Sequence, residues 1–169
     1  EVAGTVKGRS GVDEQDPEIA LPALAVTVLD SGGDARWVHA RKAWLEGLSP
    51  KENRDVPPLD YDRVYRLKQE FPNVFIGING GIADLNQALD HLNHVDGVML
   101  GRAAYHNASI LTDVDQRIYG EARHAADWSS ACSAMLAPAP PHMAPGGRLT
   151  HRSRHQHARL QVAESTRHI

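Results

Sequence analysis

Short β-rich runs alternate with longer stretches of helical period four times before about Gly120, and this alternation constrains the fold of the 169-residue chain more than any other feature. The runs are Gly4 to Val6, Ala35 to His39, Val74 to Asn79 and Gly97 to Leu100. The helical stretches are Asp16 to Asp30, Tyr61 to Glu70, Asp84 to Leu92 and Ser109 to Tyr119. In the first helix Ile19, Leu21, Leu24, Val28 and Leu29 fall roughly on one side, with Pro17 suited to its first turn and Pro22 an awkward interior residue. Leu85, Ala88, Leu89 and Leu92 form the expected buried stripe of the third, with Asp84 as its N-cap. Repeated βα units of this kind build a parallel sheet. A complete eight-unit barrel takes roughly 250 residues, so four units amount to half a TIM barrel, with a small doubly wound sheet as the alternative. An open half-barrel exposes two strand edges, which calls for a missing half, for self-association, or for tolerance of poor stability.

Composition narrows the class. At 41% hydrophobic and 23% charged residues the chain can bury a core, and no apolar run approaches the roughly 20 residues of a membrane span. One cysteine, Cys132, can form neither an internal disulfide nor a multi-cysteine metal site, and a cytoplasmic location is expected. Residues 1–120 carry twelve Lys/Arg against eighteen Asp/Glu, whereas residues 121–169 carry six against three and hold six of the ten histidines. The first segment is read as the half-barrel. The second is read as a separate element, with a short helix near Asp127 to Leu136 and then Pro138, Pro140, Pro141 and Pro145. The chain opens without methionine, almost directly into a strand-like run, and so reads as a piece of a longer protein.

Polar residues gather where the strands end, the functional face of a parallel sheet. Lys7 and Arg9 follow the first strand, His39, Arg41 and Lys42 the second, Asn79, Gly80 and Gly81 the third, and Gly101 and Arg102 the fourth. Glycines at such turns let backbone N–H groups approach an anion, a following helix start favours negative charge, and Arg102 can fork onto phosphate oxygens. A plain tight turn at Gly80–Gly81 is the competing reading. Lys7 is either a strand-flanking lysine or a cation beside developing negative charge, of the kind a reduced flavin carries around N1 and its C2 carbonyl. His39 is open to three roles: ligand donor, general base or satisfied core imidazole. His91 and His94 are expected on a surface helix. His151 and His155 lack the glutamate of a zinc-protease helix and sit among arginines, so no metal site is expected.

The string His39-Ala-Arg-Lys-Ala-Trp-Leu-Glu-Gly-Leu-Ser-Pro-Lys-Glu-Asn-Arg54 resembles the A-type tRNA-dihydrouridine synthases. The likeness continues through Pro57, Pro58, Leu59 and Tyr61, Tyr65 to Lys68, Ile78 to Ile82, and Val95 to Asn107. Upstream, Thr5, Val6, Lys7, Arg9, Gly11, Val12 and Asp13 also fit. The resemblance implies the C-terminal half of a flavoenzyme barrel followed by a small helical RNA-binding domain. The family reduces uridines of the tRNA D-loop with FMN and NADPH. By that likeness Lys7 and His39 contact FMN, Asn79, Gly80, Gly81, Gly101 and Arg102 cradle its phosphate side, and Lys51 and Arg54 meet tRNA. Gly146, Gly147, Arg148, Leu149, His151, Arg154 and His155 resemble part of the RNA-binding domain, whereas Arg152 and Gln156 stand where a helix should bury side chains. The family's proton-donating cysteine belongs to the preceding half of the barrel and Cys132 cannot replace it, so the chain alone is expected to be inactive. A non-catalytic RNA-binding remnant and a half-barrel for another phosphorylated metabolite are the alternatives.

Overall fold

The computed structural model describes residues 4–122 together with Ser129 and Ser130. Four strands, β1 (Thr5–Arg9), β2 (Ala35–His39), β3 (Phe75–Asn79) and β4 (Gly97–Met99), form one sheet whose spatial order repeats the chain order. All three pairings are parallel. A doubly wound sheet reverses its strand order at a switch point; this sheet does not, and unreversed right-handed crossovers carry successive helices to one face. The architecture is therefore the half-barrel expected from the sequence. β1 runs three residues past the expected Val6, because in-register pairing from Thr5↔Ala35 to Arg9↔His39 overrides the weak strand preference of Gly8. Lys7 consequently lies inside the strand.

Helices α1 (Pro17–Asp30), α2 (Tyr61–Glu70) and α3 (Leu85–Leu92) each start on an aspartate whose carboxylate accepts a backbone N–H of the first turn. Asp16 accepts from Glu18, Asp60 from Arg63 and Asp84 from Gln87. α1 continues through Pro22, which cannot donate to the Glu18 carbonyl. The fully buried Arg63 of α2 compensates: its Nη2 reaches Glu18 O at 3.5 Å and its Nε reaches Pro17 O at 3.1 Å. Its Nη1 also pairs with Glu70 at 3.2 Å.

The core lies between sheet and helices: Val38, Ile76 and Ile78 from the strands, Leu21 and Ala25 from α1, Val64 and Leu67 from α2, and Ala88 from α3. The stripe of α1 is narrower than expected. It buries Leu21, Ala25 and Val28, and leaves Ile19 71% exposed. His91, expected on the surface, is buried; the Tyr65 hydroxyl lies 2.6 Å from its Nδ1 and Tyr61 meets its ring edge-on. Burial lowers its pKa. His94 stacks on Tyr65.

The described chain divides into two compact units between Ala103 and Ala104. In the second unit the expected helix Ser109–Tyr119 is broken into a 3-10 segment, Ala108–Asp113, and the single turn α5 (Val114–Arg117). The Thr112 hydroxyl donates to Ser109 O at 2.7 Å, a local bond that competes with the α-helical ladder. Gly120, at φ 67°, ends the segment. A short helix not anticipated, α4, spans Arg102–His106. Of the helix expected near Asp127–Leu136, only Ser129 and Ser130 are described, and both are helical. Cys132, the proline-rich stretch, Arg152, Gln156, and the segment with His151, Arg154 and His155 lie outside the described residues.

Candidate anion site at the strand ends

Strand register stacks the side chains opposite the helices in rows. Lys7, Trp37, Gly77 and Gly97 make one row, and Arg9, His39, Asn79 and Met99 the next toward the strand ends. The lower row is flattened by glycine. A Cβ on Gly77 would lie 2.3 Å from the Trp37 ring, so only glycine lets the indole lie across the sheet, where it also packs against Phe75 at 5.6 Å. Lys7 reaches over this platform to the fourth strand, its Nζ 3.2 Å from Met99 Sδ.

His39 ends β2 with its Nε2 buried and unpartnered among the described residues. Its pKa is lowered to about 4, first by burial and then by the surrounding charges of Arg9, Lys7, Arg41 and Arg102. The imidazole is neutral at pH 7, and four cations from three of the four strand ends bear on one ring. Of the three roles open to His39, the satisfied core imidazole does not fit an orphaned Nε2.

Asn79 donates from Nδ2 to Met99 O at 2.7 Å, tying β3 to β4 just before the turn. Gly80 (φ 128°) and Gly81 (φ 67°) occupy backbone conformations that other residues resist. A Cβ on Gly80 would come within 2.9 Å of Leu59 and 3.2 Å of the His39 ring. The Tyr61 hydroxyl donates to the Gly80 carbonyl at 2.7 Å, a contact that no local sequence signal marks. The start of α3 offers less to an anion than expected, because the Asp84 carboxylate already accepts from its first turn.

Arg102 is 57% exposed and pairs through Nη2 with Asp55 at 2.7 Å; Gly101 before it has nothing within 4 Å of its Cβ position. Asp55, a partner not foreseen, has its pKa lowered chiefly by the Arg102 hydrogen bond. It belongs to a segment gripped by two further arginines. Arg9 Nη1 donates to Asn53 O at 3.0 Å, and Arg41 Nη1 donates to Asp55 O at 2.9 Å and to Pro57 O. Lys51 and Arg54 stand exposed on the same loop, Lys51 just before the 3-10 turn Glu52–Arg54 and Arg54 at its end. Of the candidate residues, Lys7, His39 and Asn79 thus share one face of the sheet, Gly80, Gly81, Gly101 and Arg102 follow the ends of β3 and β4, Lys51 and Arg54 sit on the loop between β2 and α2, and Arg154 lies outside the described residues. No cluster of three His, Cys, Asp or Glu among the described residues can hold a metal ion.

Parallel βα units that carry cations, a neutral imidazole and a positive-φ glycine turn at and near their strand ends make a half-barrel with the chemistry to meet an anionic ligand. The family model for dihydrouridine synthase matches residues 1–168, and the chain belongs to that family. It is 51% identical over 151 residues to the tRNA-dihydrouridine(20/20a) synthase of Shewanella oneidensis, covering 89% of this chain and 45% of the relative. The enzymes of the same name from Vibrio cholerae and Salmonella typhimurium are 45% and 48% identical over 152 residues, covering 46% of each relative. The chain spans just under half the length of the curated relatives it matches. Among the described residues no helix is long and apolar enough to cross a membrane.

Proposed function

We propose that this chain supplies the phosphate-holding side of an FMN site and part of the tRNA surface of an oxidoreductase that reduces uridine to dihydrouridine in the tRNA D-loop, with NADPH as reductant. The observation that carries the reading is the orphaned, buried Nε2 of His39, whose ring feels the charge of four cations and lies beside the glycine turn. Those residues fit a flavin nucleotide: a planar acceptor-rich ring can meet a lysine and a neutral imidazole, and a phosphate can meet glycine N–H groups and an arginine fork. Bound FMN supplies the hydride equivalent for reduction of the uracil ring.

The protein's part is binding and electrostatics. Lys7 stabilises negative charge on the ring system, His39 orients it through Nε2, and Asn79 fixes the turn that brings Gly80 and Gly81 close. Arg102 neutralises the phosphate, with Gly101 leaving room for it. Lys51 and Arg54 take RNA backbone phosphates, which position the RNA without reading its sequence. The target base has to leave its stack to reach a flavin inside a barrel mouth. Residues 1–120 act as the cofactor-binding half-barrel, and residues 121–169, with Arg154, as the remnant of a helical tRNA-binding domain. No proton-donor role falls to Cys132, so turnover depends on residues outside the matched half, whether from the preceding half of the barrel or through association.

Titrating the chain into FMN tests the reading. Saturable quenching of flavin fluorescence is expected, together with a salt-dependent tRNA mobility shift. A tRNA shift without FMN uptake would instead support the RNA-binding remnant, and competition by sugar phosphates without flavin binding would support a half-barrel for another metabolite.

A further inference from the structure

We infer that Asp55 is the positioning residue of the phosphate end of this site: its carboxylate holds one edge of the Arg102 guanidinium and leaves the other donors of the fork for a phosphate. The inference rests on the flavin mononucleotide reading above. Arg102 has little else to fix it. It is more than half exposed, it follows a glycine with open space around it, and among the described residues its one ion pair is the 2.7 Å contact from Nη2 to Asp55. A long arginine side chain left free would have to be immobilised each time a phosphate bound.

Asp55 is suited to the task because its own backbone is fixed. Its N–H donates to Glu52 O at 2.9 Å, and its carbonyl accepts from Arg41. Arg41 also holds Pro57, and Arg9 holds Asn53, so residues 53–57 are anchored to the ends of β1 and β2. A segment fastened to two strand ends thereby sets the guanidinium that follows the fourth. Occupying Nη2 alone is compatible with a second partner, because a guanidinium carries five N–H donors in a planar fork.

The test compares FMN with riboflavin, which lacks the phosphate, in equilibrium quenching titrations of the full 169-residue chain and its variants. Asp55→Asn keeps the shape and removes the charge. It is expected to weaken FMN about fivefold and leave riboflavin unchanged, with Asp55→Glu recovering most of the loss. Adding Asp55→Asn to Arg102→Gln should cost nothing further. Equal loss for both ligands would mark a purely structural role and overturn the inference. Unchanged or tighter FMN binding by Asp55→Asn, with wild-type discrimination intact, would overturn it alone and cast Asp55 as a bystander or a competitor for Arg102. A wild-type chain that binds FMN no better than riboflavin would overturn the phosphate-site reading, and the role of Asp55 with it.

Discussion

The two faces of the sheet differ in kind. Toward the helices, Val38, Ile76 and Ile78 are fully buried in an apolar layer. Toward the other side, the same strands present Lys7, Arg9, His39 and Asn79, with Trp37 and Phe75 below them and Phe75 38% exposed. One face holds the unit together and the other gathers charge. Alternation along a strand lets one five-residue run do both, since successive side chains point to opposite faces.

The largest expected effects separate the faces by stability. Ile78→Ala should cost about 3 kcal/mol in urea denaturation, through lost burial and a residual cavity. Lys7→Ala, two strands away on the opposite face, should stay within about 0.5 kcal/mol. Comparable losses from both would erase the distinction.

One residue breaks the pattern. Arg36 lies on the apolar face at 1% exposure, with Nε, Nη1 and Nη2 all unpartnered among the described residues, and burial lowers its pKa to about 10. A buried charge without a partner is costly, so Arg36→Met should leave the protein as stable or stabilise it by about 1 to 2 kcal/mol. A loss of stability on thermal or urea melting would mean that this guanidinium has a partner beyond the residues described.

On the charged face the readout is binding. Arg102→Ala should weaken FMN by roughly tenfold or more, the worth of a charge-assisted hydrogen bond, while the circular dichroism melt stays put. The smallest effect is expected at the loop. Replacing Lys51 or Arg54 by alanine should lower the slope of log tRNA affinity against log salt by about 0.7 each, the value for one phosphate contact on a single strand.

The difference between the faces also explains what was legible in the sequence. Strand runs and helix periods are local, and they yield four βα units, the bounds of α2 and the N-cap of α3. Strand-end placement of His39, Asn79 and Arg102 follows from the same count. What depends on distant partners was not legible. The extension of β1 rests on pairing with β2, and the survival of α1 through Pro22 rests on Arg63, forty-one residues later. The burial of His91 rests on Tyr61 and Tyr65. Asp55 is one more acid in a charged loop until the fold sets Arg102 beside it.

The claim that the charged face is an anion site is tested most directly at the His39 ring, by following its imidazole resonances against pH with and without FMN. In the free chain the ring should titrate near 4, well below its unfolded value of about 6.5. Because the folded pKa is depressed, the stability His39 contributes is complete above 6.5 and declines as pH falls toward 4. Bound FMN should raise the pKa by offsetting the four cations. A ring that titrates near 6.5 and ignores FMN would contradict the account.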